Sequence, residues 1–165
     1  LEPAFGPIES YLASIDEAVR RLNVATGEPP LVVAHSMGGL AVRAWLRQCR
    51  AANKPASVHS VITIGTPHGG AWLGRFAYSI NGRQMRLSGP WIAELDKSVS
   101  SDAHVPFTCF YGHCDNIVFP ASSATMPGAD NRHIARAAHL QMVYHADVFQ
   151  EVLSRLLVAP DRGAG

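Results

Sequence analysis

Apolar side chains recur at Ile8, Tyr11, Leu12, Ile15, Val19 and Leu22, steps of mostly three and four that put them on one face of a helix. Pro7 suits the first turn and Gly27 lies past the end, so an amphipathic helix of about four turns is predicted. After Glu28-Pro29-Pro30 the pattern changes to the unbroken apolar run Leu31-Val32-Val33-Ala34, the signature of a strand buried on both faces. A second helix follows from about Met37 to Ala52, with Leu40, Ala41, Ala44 and Trp45 facing inward. Val58 to Ile64 and Pro106 to Tyr111 read as two further strands. The last predicted element is a helix from about Leu140 to Val158, striped by Val143, Tyr144, Val148, Val152, Leu153 and Leu156, and Ala159 to Gly165 reads as a frayed tail. Helix and strand alternate, which predicts an α/β fold whose parallel sheet is covered on both faces.

Between the second and third predicted strands lie about 40 residues, far more than the usual connection of about 2 to 6. They carry Trp72, Leu73, Phe76, Tyr78, Ile80, Met85, Leu87, Trp91, Ile92 and Leu95. Such an insertion is either a cap facing a ligand, placed here at about residues 70–104, or a satellite helix packed on the core. No repeat or low-complexity stretch divides the chain, so a single domain over residues 1–165 is expected.

Composition narrows the function classes. Fourteen Lys and Arg balance 13 Asp and Glu, a net charge of +1, which leaves no electrostatic footprint for a nucleic-acid partner. Charged residues are 16% and apolar ones 47%, so the chain is expected to bury much of itself rather than to be disordered. No apolar run reaches the roughly 18 residues of an integral membrane segment. Eight His and three Cys show no metal-ligand spacing, and no metal is expected. Cys109 and Cys114 are close enough to bridge around a turn; the alternative is reduced, partly buried thiols.

The chemistry concentrates in Ala34-His35-Ser36-Met37-Gly38-Gly39. A small-x-Ser-x-Gly pattern is weak alone, but here an apolar strand ends just before Ser36 and a helix starts just after it, the context of a strained nucleophile elbow. The tight turn brings together the positions two before and two after the serine, and Ala34 and Gly38 are small. Ser36 is the candidate nucleophile, and the Met37 N–H, at a helix N-terminus, is the candidate oxyanion donor. The plainer reading is that Ser36 merely caps the helix.

A serine nucleophile requires a histidine base and a carboxylate, which in this arrangement follow it in the order acid, then histidine. Asp115, just past the end of the third predicted strand, is the favoured acid; an Asx-turn role is its alternative, and Asp130 is the runner-up. Asp96 and Asp102 precede that strand. His139, where a loop meets the last helix, is favoured as base over His133 and over His145, which is expected inside the helix. His35 is expected to support the turn.

Together with Ile62-Thr63-Ile64-Gly65-Thr66-Pro67-His68-Gly69-Gly70, the elbow resembles bacterial triacylglycerol lipases and esterases of the α/β-hydrolase fold, and the related thioesterases, over about residues 30–157. The resemblance implies a three-layer sandwich and a serine carboxylic-ester hydrolase acting on an ester or lipid without a cofactor, with Ser36, Asp115 and His139 at the catalytic positions and Met37 at the oxyanion position. The turn at 66–70 would border the pocket, with Thr66 and His68 as candidate substrate contacts; the plainer reading is a Gly-rich turn that ends a strand. The lipase likeness, with a Cys109–Cys114 bridge, points to the cell envelope or exterior.

Two departures matter. Ala34 stands where Gly is commoner, and nothing in Leu1 to Pro30 resembles the family's earlier strands or the loop that donates the second oxyanion N–H. Leu31 to Ala34 is therefore expected to form an apolar sheet edge. This predicts a carboxyl-terminal portion of a longer hydrolase that lacks the N-terminal strands, its edge paired by the missing half or by another chain. A non-catalytic module that binds lipid or protein through the insertion is the competing function.

Overall fold

The computed structural model describes residues 5–54, 56–99 and 105–157. The expected tail Ala159–Gly165, Val158, Asp102 and the end of the expected cap at 100–104 lie outside the described residues. A 3-10 turn at Ile8–Tyr11 leads into α1 (Leu12–Thr26), followed by β1 (Leu31–His35), α2 (Met37–Ala51) and β2 (Ser60–Ile64). The insertion holds a 3-10 turn at Trp72–Phe76, α3 (Ile80–Gln84) and α4 (Pro90–Val99). Then come β3 (Phe107–Tyr111), β4 (Asp130–His133), a 3-10 turn at Gln141–Tyr144 and α5 (Ala146–Leu157).

All four strands are parallel and lie in the order β1-β2-β3-β4, with Leu31 opposite Ser60, Val61 opposite Phe107 and Thr108 opposite Asp130. Successive strand residues serve opposite faces. Ala34, Val61 and Cys109 join Leu40, Trp45 and Leu95 in a core under α1, α2 and α4. Ile62, Ile64 and Phe110 join Ile134, Met142 and Val148 in a second core under α5. Every residue of β2 is buried, Ser60 and Thr63 included, as in a central strand covered on both faces. The result is the predicted α/β sandwich of three layers. Gly27 ends α1 at φ 73°, a left-handed position suited to glycine.

Several sequence expectations need correction. β4 was not anticipated, because Asp-Asn-Arg-His carries no apolar alternation; it is an exposed outer strand. The last helix is interrupted: His145 is extended (φ −71°, ψ 140°), so it precedes α5 rather than sitting inside it. Half of the expected stripe faces outward, with Tyr144, Leu153 and Leu156 exposed while Val148 is buried. The cysteines need no such correction: all three are free, as the reading of reduced thiols has it, and Cys109 and Cys114 do not bridge; Cys114 is exposed and the other two are buried.

The insertion divides into two parts. Ile92 and Leu95 of α4 are buried in the main core, with Met85 and Trp91 packed against it, whereas Trp72, Leu73, Phe76, Tyr78 and Ile80 are exposed. Arg43, 3% exposed in α2, anchors α4 by donating from Nη2 to Asp96 Oδ1 at 2.8 Å. On the opposite side of the chain, α5 is clamped to the sheet by Glu151, which accepts from Arg132 and Arg155 at 2.7 Å each, and Arg155 also donates to Thr108 of β3.

β1 is the outer strand on its side, and Val33 is 46% exposed, so the apolar edge expected from the sequence is present among the described residues. No described helix is long and apolar enough to cross a membrane.

Trp45 fills the main core and donates from Nε1 to Asp16 at 3.1 Å, joining α2 to α1. Trp45→Ala is expected to cost about 3–5 kcal/mol, seen as a lowered urea midpoint with little change in slope.

Candidate functional site

Ser36 connects β1 to α2 at φ 54°, ψ −129°, a conformation with positive φ that few side chains tolerate. Its N–H donates to the Ile64 carbonyl at 2.9 Å, and its carbonyl accepts from Gly39 at 3.1 Å. The turn is thus bonded both to β2 and into the first turn of α2. The Ser36 side chain makes no capping bond to the helix, so the plainer role considered for it is not the one it fills.

The space around the turn explains its small residues. A Cβ on Gly38 would sit 3.8 Å from the Ala34 Cβ, so these two positions meet, in ordinary van der Waals contact. The tighter point is Gly39, where a Cβ would come within 2.6 Å of the Thr66 methyl carbon. Met37 opens the 15-residue α2, so its N–H lies at the positive end of the helix dipole. Asn81 Nδ2 in α3 reaches the Met37 sulfur at 3.4 Å, bringing the insertion against the same turn.

Asp115 and His139 come together from loops beyond β3 and β4. Asp115 divides its two oxygens: Oδ1 accepts from the N–H groups of Ile117 (2.8 Å) and Val118 (2.9 Å), while Oδ2 lies 2.9 Å from His139 Nδ1. Both readings of this residue, loop stabiliser and partner of the histidine, therefore hold at once. Because a carboxylate only accepts, Nδ1 carries the proton and His139 Nε2 is left with its lone pair. Both side chains are nearly dry, 2% exposed for Asp115 and 6% for His139.

Three residues that the sequence reading did not attach to the histidine hold it in place. Asn116 Oδ1 accepts from the His139 N–H at 3.2 Å. Gly65, at φ 54°, lies against the ring, and a Cβ there would stand 3.0 Å from Nδ1. His35 lies beside it, ring centroids 4.6 Å apart and tilted by 45°, its Nε2 3.3 Å from the His139 carbonyl. Burial, and then the positive charge His139 can carry, hold the His35 imidazole below its ordinary titration range, despite the opposing pull of the His139 carbonyl and Asp115.

The remaining candidates are placed elsewhere. His133 pairs with His113 at 2.8 Å, and His145 lies 3.5 Å from Asp147. Asp130 pairs with Arg132, and Asp96 with Arg43. Thr66 and His68 are both buried, 0% and 2% exposed, so neither side chain is open to a ligand in this conformation. His68 Nε2 lies 3.0 Å from Thr63 Oγ1 and 3.5 Å from the Cys109 sulfur, and the His68 carbonyl accepts from Arg43. Burial drives His68 well below its ordinary range and pushes the Cys109 thiol up to about 11. Among the described residues no group of three or more His, Cys, Asp or Glu is arranged to hold a metal ion.

A cavity of about 300 Å³ opens beside Asp115, walled by Gly112, Val118, Phe119, Pro120 and Ser122. The loops at the carboxyl ends of β2, β3 and β4 also carry exposed Phe76, Trp72, Phe119 and Leu140, and the Trp72 N–H bonds the Phe119 carbonyl at 2.9 Å.

A four-stranded parallel sheet with a positive-φ serine at the strand-to-helix turn defines the α/β-hydrolase class. Within it, the lecithin:cholesterol acyltransferase family profile matches residues 7–112, well over half of the chain, and the chain belongs to that family. The match includes Ser36 and the turn at 65–70 and ends before Asp115 and His139. Among solved structures, the mature form of Bacillus licheniformis lipase BlEst2 superposes with a TM-score of 0.76 at 16% identity, covering 93% of this chain and 76% of that one. Aspergillus fumigatus lipase B gives 0.65 at 20% identity, over 79% of this chain and 35% of its own length. Paleococcus ferrophilus monoacylglycerol lipase gives 0.63 at 13% identity, over 93% and 77%. These likenesses establish the α/β-hydrolase fold, and the chain spans only about a third of the Aspergillus protein. Among curated protein sequences none matches.

His68 yields a prediction about pH. Its folded titration point lies far below the ordinary value of 6.5, so as pH falls through 6.5 the unfolded chain takes up a proton that the folded chain refuses, and stability declines. In urea titrations at pH 7.5 and 5.5, His68→Gln is expected to lose less stability between the two pH values than the parent protein.

Proposed function

We propose that the protein is a serine-dependent acyl hydrolase acting on carboxylic esters, with Ser36 as nucleophile, His139 as general base and acid, and Asp115 as the carboxylate that orients the imidazole. The observation that carries this reading is the serine held at φ 54° with its side chain unused by the helix, in a turn whose neighbours His35 and Gly65 touch the Asp115-paired histidine. Ser36 Oγ adds to the ester carbonyl while its proton passes to His139 Nε2, the nitrogen that Asp115 leaves free. The negative oxygen of the tetrahedral adduct accepts from the Met37 N–H, aided by the dipole of α2. Collapse of the adduct expels the alkoxide, which takes the proton from His139, and leaves an acyl-serine. Water, deprotonated by His139, repeats the sequence and frees the acid. Asp115 stays ionised and offsets the transient imidazolium. These residues require no cofactor for the cycle. Thr66 and His68 act from beneath, Thr66 by packing on Gly39 and His68 by fixing the segment after β2.

An alcohol can replace water in the second half of the cycle. The family name, an acyltransferase, favours testing that variant of the same chemistry. The apolar side chains exposed around the site, Trp72, Phe76, Phe119 and Leu140, support a lipid acyl ester over a small soluble one. The first part of the insertion, through Ile80, then serves as the cap.

A fluorophosphonate probe is expected to label the protein stoichiometrically, and Ser36→Ala to abolish labelling. A folded parent protein that does not react would instead favour a non-catalytic module that binds lipid or protein. Asp115→Asn is expected to lower kcat about 10⁴-fold by spoiling the tautomer of His139. Replacing Trp72 and Phe76 together by Ser is expected to reduce turnover of an emulsified triacylglycerol severalfold while sparing p-nitrophenyl butyrate. Equal losses on both substrates would argue against the lipid preference.

A further inference from the structure

His35 precedes the serine in sequence, yet its side chain is committed to another loop. The His139 carbonyl can only accept, so the 3.3 Å contact assigns the proton to His35 Nε2. The two rings lie 4.6 Å apart at 45°, and Gly65 also stands against the histidine, where even a methyl group would approach Nδ1 to 3.0 Å. His139 is thereby gripped at four points: Asp115 at Nδ1, Asn116 at the main-chain N–H, and His35 at both the main-chain carbonyl and the ring. Of these, the last two contacts come from the strand that leads into Ser36. The loop bearing His139 lies beyond β4, three strands from β1 in the sheet order, so the two meet only through contacts across the carboxyl ends of the strands.

We infer that His35 is a positioning residue for His139, tying the base to the serine turn through its Nε2–H bond to the His139 carbonyl and the contact of its tilted ring. The inference rests on the proposed roles of Ser36 and His139. The half-buried setting of His35 and the neighbouring His139 disfavour a second proton on its ring, which favours the neutral donor. A charged ring there would repel the imidazolium that His139 becomes in each half of the cycle, so neutrality at this position serves the chemistry as well as the packing.

The test compares His35→Gln, whose amide N–H stands near the place of Nε2, with His35→Phe, which keeps a ring but has no donor. With p-nitrophenyl butyrate, His35→Phe is expected to lower kcat about 10- to 100-fold with KM within about twofold, the pattern of a misplaced catalytic group. His35→Gln is expected to recover most of that loss. In proton NMR of the parent protein the His139 Nδ1–H shared with Asp115 should give a resolved low-field resonance. It should broaden by solvent exchange in His35→Phe and persist in His35→Gln. Thermal unfolding of each variant checks that the fold is kept. If His35→Phe does not fold, His35→Asn, too short to reach the carbonyl, takes its place. Parent-like kcat in the donorless variant, a loss confined to KM, or equal losses in both variants with the resonance unchanged would overturn the inference. A parent protein that neither labels nor turns over ester would refute the proposed reaction instead, and the NMR comparison would still decide whether His35 holds His139.

Discussion

The backbone at Ser36 can hold its positive φ only because three neighbours close on it at once. β1 delivers the chain to the turn, the Ile64 carbonyl of β2 takes the Ser36 N–H, and α2 begins immediately with Gly39 bonded back to the serine carbonyl. A conformation of this kind costs on the order of 1–3 kcal/mol and persists where the surroundings over-determine it. Here they do so through the absence of atoms: Ala34, Gly38 and Gly39 leave room for the turn, and the Thr66 side chain fills the space that a larger residue at 39 would claim. The segment after β2 must in turn be held against α2, and Arg43, one helical turn beyond Gly39, bonds the His68 carbonyl and Asp96 together.

The histidine side of the site depends on economy in one carboxylate. Asp115 spends one oxygen on its own loop and the other on His139, so the same group that shapes the loop aims the imidazole. Truncating it would remove the acceptor of two main-chain N–H groups along with that of the imidazole, whereas Asn keeps most of the loop bonds. The two substitutions therefore separate shape from charge.

Much of this was legible in the sequence because it rests on local pattern. The buried β2, the amphipathic α2 and the elbow residues follow from apolar periodicity and from the placement of Gly and Ala around Ser36. Asp115 and His139 were legible through their order and their places after a strand and before a helix. What escaped the sequence depends on tertiary neighbours. β4 is an outer strand of polar residues whose only warrant is its ladder to β3. Asn116, Gly65 and His35 act on His139 through contacts between separate loops, and no spacing along the chain announces them. The burial of Thr66 and His68 follows from Arg43 and Gly39 on a different element, so a Gly-rich turn looked more open than it is.

The division of the insertion into an anchored and an exposed half separates two kinds of evolutionary change. Substitutions at Ile92, Leu95 or Asp96 disturb the core or the Arg43 bridge. Those at exposed Phe76, Tyr78 or Ile80 touch little that holds the fold, and exposed positions away from such features usually shift stability by no more than about 0.5 kcal/mol. A lineage can therefore vary this exposed stretch with little cost to folding, since it is the part of the insertion whose identity the rest of the fold does not need.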